Sequence, residues 1–179
     1  MEHFQTPLAP FDSSATIGAS NYTSNIRLLG QEDEGEVCRI FLTLEPSARY
    51  CRFGASVTDA CLIDHAKRSL ANADWIVGAF IGERIRGLVE VYSGQSSDDV
   101  EAAFVVEREW RRRGLGWALL QAAIQKARAC EADAIKMIFS RHNWPMRKLA
   151  SKASAKLDIV LDEMCVEVPL SGSGKMNSA

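Results

Sequence analysis

Val105-Val106-Glu107-Arg108-Glu109-Trp110-Arg111-Arg112-Arg113-Gly114-Leu115-Gly116 is the stretch of this chain whose residue types and spacing most directly suggest chemistry. A β-branched strand end runs into a basic turn carrying Gly114 and Gly116, and then straight into an amphipathic helix that opens with Leu115. Neither glycine has a Cβ, so the backbone there can turn sharply and approach a ligand closely. The first N–H groups of a helix lack intrahelical acceptors, and with the helix dipole they form an anion site. Arg111, Arg112 and Arg113 would reinforce it. A phosphate or pyrophosphate is the natural occupant; the plainer alternative is a solvated basic helix start with a turn glycine. Two better-known phosphate motifs do not fit. A dinucleotide fingerprint needs a third glycine where Leu119 stands, and an acid roughly 20 residues on, near Lys136. A P-loop needs Ser or Thr after Gly-Lys, whereas Gly174-Lys175 is followed by Met176.

The remaining reactive side chains give weaker patterns. Five cysteines, Cys38, Cys51, Cys61, Cys130 and Cys165, are widely spaced with no CxxC pair, which suggests neither a disulfide framework nor a zinc knuckle. Cys61 and His65 stand four apart on a helical stretch and would make half a metal site at most. A buried thiol and a surface histidine explain them more simply, and no metal is expected.

The elements that must position these residues follow from periodicity. Asn25–Gly30 reads as a short strand, and Glu32, Asp33, Glu34 and Glu36 then crowd a helix start where negative charge suits the dipole. That helix runs on through Cys38, Phe41 and Leu42 toward Pro46, and a second one carries Val57, Cys61, Leu62, Ala66 and Leu70. Trp75–Ile81 and Arg86–Tyr92 form a hairpin through Gly82-Glu83. After a polar turn at 94–99 comes a strand at Val100–Val106, then a helix from Arg113 to Ala129. Ala134–Ser140 reads as strand, Pro145–Ala155 as helix, and Leu157–Pro169 as one or two final strands. The order is that of a mixed α/β domain around one sheet. Residues 1–24 read as a mobile arm and 171–179 as a flexible tail, leaving 25–170 as the folded unit.

Arg111-x-x-Gly114-x-Gly116 between a strand and a helix resembles the acetyl-CoA-binding motif of the GNAT N-acetyltransferases. Asn143-Trp144-Pro145-Met146, with Leu149, resembles the Asn-led helix after the fifth strand of those enzymes. Ser47-Ala48-Arg49-Tyr50-Cys51-Arg52-Phe53 is similar to the SxRYxRF segment of a bacterial subgroup that includes the GNAT domain of protein-lysine acetyltransferases. The resemblance spans roughly residues 25–170, and it implies a mostly antiparallel sheet splayed between strands four and five and flanked by helices. It further implies that Arg111 to Gly116, including Leu115, cradle the pyrophosphate of acetyl-CoA with Asn143 and Met146 nearby. The backbone of Phe104, Val105 and Val106 would pair with the pantetheine arm. Glu101, at the start of strand four, occupies the place of a catalytic glutamate, and Arg49, Tyr50 and Arg52 would line the acceptor side. Two guanidiniums there could bind a carboxylate or phosphate; the plain alternative is an aromatic core with local ion pairs. The chain departs from the family's pattern where a tyrosine acid is common, having Ala150, and where Gly-Phe often closes the helix, having Ser154-Ala155.

The implied activity is transfer of an acetyl group from acetyl-CoA to a primary amine, on a small molecule or a protein lysine, by direct attack in a ternary complex. The rival is a catalytically weak acyl-CoA-binding sensor, which Ala150 would favour. Composition opposes other classes. With 179 residues, one domain is expected, since domains run to about 150. A net charge of −2 gives no pull toward nucleic acid or an anionic membrane. The longest apolar run, Trp75 to Gly82, is far short of the ~20 residues that span a bilayer. Residues 1–24 hold no Lys or Arg and no apolar h-region, so the chain reads as cytoplasmic, and nothing opposes a homodimer.

Overall fold

A computed structural model describes residues 14–16, 23–94, 98–153, 155–160 and 163–170. Its frame is one eight-stranded sheet in the order β1-β2-β3-β4-β5-β6-β8-β7. The strands are β1 (Ser14–Thr16), β2 (Thr23–Leu28), β3 (Trp75–Ile81), β4 (Arg84–Ser93), β5 (Asp99–Val106), β6 (Ala134–Ser140), β7 (Lys156–Val160) and β8 (Glu163–Pro169). Because Ser14–Thr16 adds a short edge strand inside the segment read as an arm, the fourth and fifth strands of the sequence reading are β5 and β6 here. The rest of residues 1–22 and the tail from 171 lie outside the described residues.

All neighbours run antiparallel except β5 and β6. That parallel pair matches register only at Asp99↔Ala134, Val100↔Ile135 and Glu101↔Lys136, after which the strands part. β5 remains paired to β4 as far as Gly87↔Val106, and β6 to β8 as far as Ser140↔Glu163. The expected splay is therefore present, and it opens one residue beyond Glu101.

Helices cover both faces. On one lie α1 (Glu34–Leu42), α2 (Pro46–Phe53) and α3 (Asp59–Asn72); on the other lie α4 (Leu115–Ala129) and α5 (Trp144–Lys152). α1 follows a single 3-10 turn at Gln31–Asp33 and buries Val37, Ile40 and Phe41, which share one helical stripe. α3 is capped by Thr58, whose Oγ1 accepts the Cys61 N–H at 3.3 Å. α4 buries Leu115, Leu119, Leu120, Ala123 and Ala127 against the sheet, with Lys126 and Arg128 at its negative end.

Strand alternation sorts β5 between the two layers. Ala102 belongs to the core under α4 and α5, with Phe104 and Val106 packed against it, while Val105 belongs to the core under α1 and α3. Glu101 and Ala103 therefore share the α1–α3 face with Val105. α2 was not anticipated as a helix. It lies on that face and touches both β5 and β6 where they separate.

Candidate active site

The loop after β5 is built from charge pairs. Glu107 is buried and accepts from Arg39 at 2.5 Å and Arg86 at 2.8 Å. One 3-10 turn at Arg108–Trp110 follows, and Arg113 lies with its guanidinium carbon 5.0 Å from the centroid of the Trp110 ring. Arg112 adopts φ +61 and Gly114 φ +91, both left-handed. Such a conformation is easy for glycine and costs an arginine on the order of 1–2 kcal/mol. This double twist precedes α4, which starts immediately after Gly114. A Cβ placed on Gly116 would meet nothing within 4 Å. Among the described residues nothing crowds that position, so a ligand could approach the backbone at Gly116 closely.

The three arginines divide. Arg112 and Arg113 are exposed. Arg111 turns inward: its Nε donates to the Val106 carbonyl at 3.0 Å, and both terminal nitrogens reach the carboxylate of Glu45, the residue before α2. Arg111 thus fastens the loop to α2, and the Glu45 carboxyl lies below its usual range because Arg111 donates to it, against the opposing effect of burial. Sequence reading could place Arg111 at the loop but not its partner 66 residues away.

On the other side of the gap Asn143 caps α5, its Oδ1 accepting the Met146 N–H at 3.3 Å, and Met146 packs on the main core. Ala150 is 1% exposed and belongs to that core. Lys152, which sequence reading missed, sits with Nζ 4.1 Å from the centroid of the Trp117 ring, adding a cation beside the first turn of α4. An open cavity of about 830 Å³ on α5, lined by Arg141, Trp144, Arg147, Lys148 and Lys152 among others, extends the positive character of this side.

Glu101 is exposed at the branch point, flanked by Tyr92 on β4 and Lys136 on β6, and Lys136 is held by Asp99 at 2.5 Å. The acceptor-side trio also divides. Arg49 donates to the carbonyls of Leu44 at 2.8 Å and Val57 at 3.2 Å and pairs with Asp59 at 2.7 Å. Arg52 pairs with the buried Glu90. Both guanidiniums are engaged within the protein, which is the local ion pairing weighed for them, whereas Tyr50 is 57% exposed. Sequence reading missed Glu90, and it explained Cys61 and His65 as a buried thiol and a surface histidine, whereas Cys61 is exposed and His65 turns inward onto Glu90. The signal for Glu90 was a glutamate inside the apolar run Leu88-Val89-Glu90-Val91.

Known proteins share this fold. The GNAT domain of PAT from S. lividans superimposes with a TM-score of 0.73 at 19% identity, over 83% of this chain and 91% of that one. yncA from Salmonella typhimurium, solved with acetyl-CoA, gives 0.65 at 15% identity over 87% and 99%. PaiA N-acetyltransferase from Thermoplasma acidophilum, in complex with coenzyme A, gives 0.64 at 16% over 82% and 98%. Residues 35–153 match the sequence profile of the acetyltransferase (GNAT) family. A sheet parted beside a glycine loop at a helix start, with that match across most of the chain, makes this protein a member of the GNAT acetyltransferase family, whose co-substrate is acetyl-CoA.

Proposed function

We propose that the chain moves the acetyl group of acetyl-CoA to a primary amine by direct attack within a ternary complex. The observation that carries this reading is the parting of β5 and β6 immediately after Glu101, with β5 leading into the Gly114 loop. The gap leaves the backbone of Phe104, Val105 and Val106 without strand partners from β6, ready to pair with an extended pantetheine arm. Open space at Gly116 and the exposed cations Arg112 and Arg113 suit a pyrophosphate at the start of α4. Arg111 then serves by shaping the loop, while Asn143, through its cap of Met146, sets where α5 begins beside the arm.

A lysine-type amine with pKa near 10.4 is neutral in roughly one molecule in a few thousand at pH 7, so a base is needed. Glu101 stands where the gap opens and takes that proton. The amine nitrogen then attacks the thioester carbonyl carbon, and negative charge builds on its oxygen. A backbone N–H on the side of β5 that faces the gap stabilises that charge; a preorganised donor of this kind is worth about 3–4 kcal/mol. The C–S bond breaks as the carbonyl reforms. A thiol resembling cysteine has pKa near 8.5, so the thiolate departs without prior protonation; water carries to it the second proton that the attacking nitrogen loses on becoming an amide, and Glu101 gives its proton to solvent. The buried methyl group of Ala150 supplies no acid, and this route requires none.

With Arg49 and Arg52 engaged internally, Tyr50 is the one of these three residues left to meet the acceptor. The acceptor is a small-molecule amine or a protein lysine. Release of CoA thiol, followed against a polyamine, free amino acids and a lysine peptide, tests the reading. Turnover on any of them supports it; tight CoA binding with no turnover on all of them replaces it with an acyl-CoA sensor.

A further inference from the structure

Glu90 stands in the middle of β4 between Val89 and Val91, and its side chain is wholly out of solvent. A lone carboxylate at that depth would take up a proton or disrupt the strand. Groups from three elements keep it charged. Arg52, in the last turn of α2, donates Nη2 to Oε2. His65 of α3 has its Nε2 2.9 Å from Oε1, and the Tyr92 hydroxyl donates to Oε1 at 3.3 Å. Burial by itself would raise the Glu90 carboxyl, but the His65 contact and the charge of Arg52 hold it below the usual range. Phe41 and Phe53 enclose the cluster, each edge-on to the His65 ring at 4.9 and 5.0 Å.

Stability alone does not call for this cluster, because well-packed apolar side chains of similar volume commonly serve as well as a buried ion pair. Its distinctive consequence concerns α2. No residue of α2 is fully buried, so apolar packing fixes this short helix weakly. Ala48 and Phe53 pack partly on the α1–α3 core, and polar ties supply the rest: Glu45 to Arg111 at its start, Arg49 to the chain around Val57, and Arg52 to Glu90 at its end. Between the last two stands the exposed Tyr50, and beneath the helix lies the parting of β5 and β6. We propose that Glu90 is a positioning residue: through Arg52 it holds α2, and Tyr50 with it, over the acceptor side of the gap. It thereby sets affinity for the amine without touching it. This deepens the acetyl-transfer reading, on which its kinetic test rests.

The test uses the full chain, with Glu90→Gln and the paired change Arg52→Met with Glu90→Leu, which substitutes apolar bulk for the ion pair. Hydrogen exchange across residues 46–53 reads the position of α2, calorimetry reads CoA affinity, and a lysine peptide and spermidine serve as acceptors. Both variants should lose exchange protection in α2 while keeping it in α4. Acceptor KM should rise about 10-fold or more, because small displacements of a positioning element cost this much or more. CoA Kd should stay within about twofold. The paired variant separates positioning from folding, since it should melt close to the wild type and still show the raised KM. A stable paired variant with wild-type protection in α2, or with wild-type acceptor KM, overturns the proposal, as does an equal loss of CoA affinity. If the wild type turns over neither of these acceptors nor free amino acids, the acetyl-transfer reading falls, and exchange in α2 alone decides whether Glu90 anchors the helix.

Discussion

Gly116 and Gly114 are two residues apart, yet they test the cofactor loop in different ways. Gly114 has φ +91, so any side chain there strains the backbone, and a loss of CoA affinity in Gly114→Val mixes strain with blockage. Gly116 lies in the first turn of α4 with open space where a Cβ would stand. A Cβ there meets nothing in the free protein, and replacing a helical glycine by Val recovers on the order of 0.3 kcal/mol of helix propensity. Gly116→Val should therefore melt within a few degrees of the wild type while weakening CoA binding about 10-fold or more, or about 1.4 kcal/mol, by calorimetry. Unchanged affinity in that folded variant would remove the pyrophosphate from the start of α4. Glu101 is tested through the rate. It is exposed at the branch point, so Glu101→Gln should leave the fold and CoA affinity intact. It should also lower kcat about 10²-fold and flatten the acid limb of the pH–rate profile. Full activity of the variant from pH 6 to 9 would show that another base, or a water chain, takes the amine proton.

Among the elements, α2 is the one that communicates with the loop. Its preceding residue Glu45 holds Arg111 in a two-pronged pair, and Arg111 also closes the end of β5 through the Val106 carbonyl. The pair is about a quarter exposed on each side, so it should be worth about 1 kcal/mol rather than the several of a buried one. Glu45→Gln should thus weaken CoA binding by about fivefold in calorimetry with little change in acceptor KM; an effect confined to the acceptor would mean that the pair serves α2 alone. This coupling was not legible in the sequence, and neither was α2 itself. The segment 46–53 is only 8 residues long and polar on average, too short a window for its amphipathic pattern to be read, and only Pro46 at its start and Gly54 in a left-handed conformation after its end mark it as a helix. By contrast α4 and β6 were readable almost to the residue, because a wide apolar face or a short apolar run bounded by polar residues fixes each. The parting of β5 and β6 leaves no trace in either strand's own pattern. Only the motif resemblance foretold it. Charges such as Glu90, Arg52 and Arg111 were visible as residue types, but their partners depend on the tertiary fold.

At the scale of the whole molecule, four described carboxyls with depressed pKa lie on one side of the sheet. Arg27 donates to Asp33 and holds its carboxyl low. Despite burial, Arg39, the Ile85 N–H and Arg84 hold Glu36 low, while Glu45 and Glu90 are held as described. These four join the α1–α3 layer to β2, β4 and the loop after β5; none of them lies in α4, α5 or β6 to β8. A carboxyl whose folded pKa is depressed contributes stability that is full above its unfolded value and is lost as pH falls through the folded one. With unfolded values near 4, the loss should begin below about pH 5 and deepen toward pH 2. The α4 side depends mainly on apolar burial of Leu115, Leu119, Leu120, Ile135, Met137 and Val166, which acid does not titrate. Acidification should therefore loosen the molecule in order. Hydrogen exchange between pH 5 and 3, corrected for its intrinsic pH dependence, should show α1 to α3 losing protection first, with α4 and β6 following at lower pH. Melting temperature should fall across the same window, and the paired change Arg52→Met with Glu90→Leu should make that fall shallower, because it removes one of the titrating carboxyls. Simultaneous loss of protection in both layers would show that the cores unfold as one unit and that no layer is separately sensitive to acid.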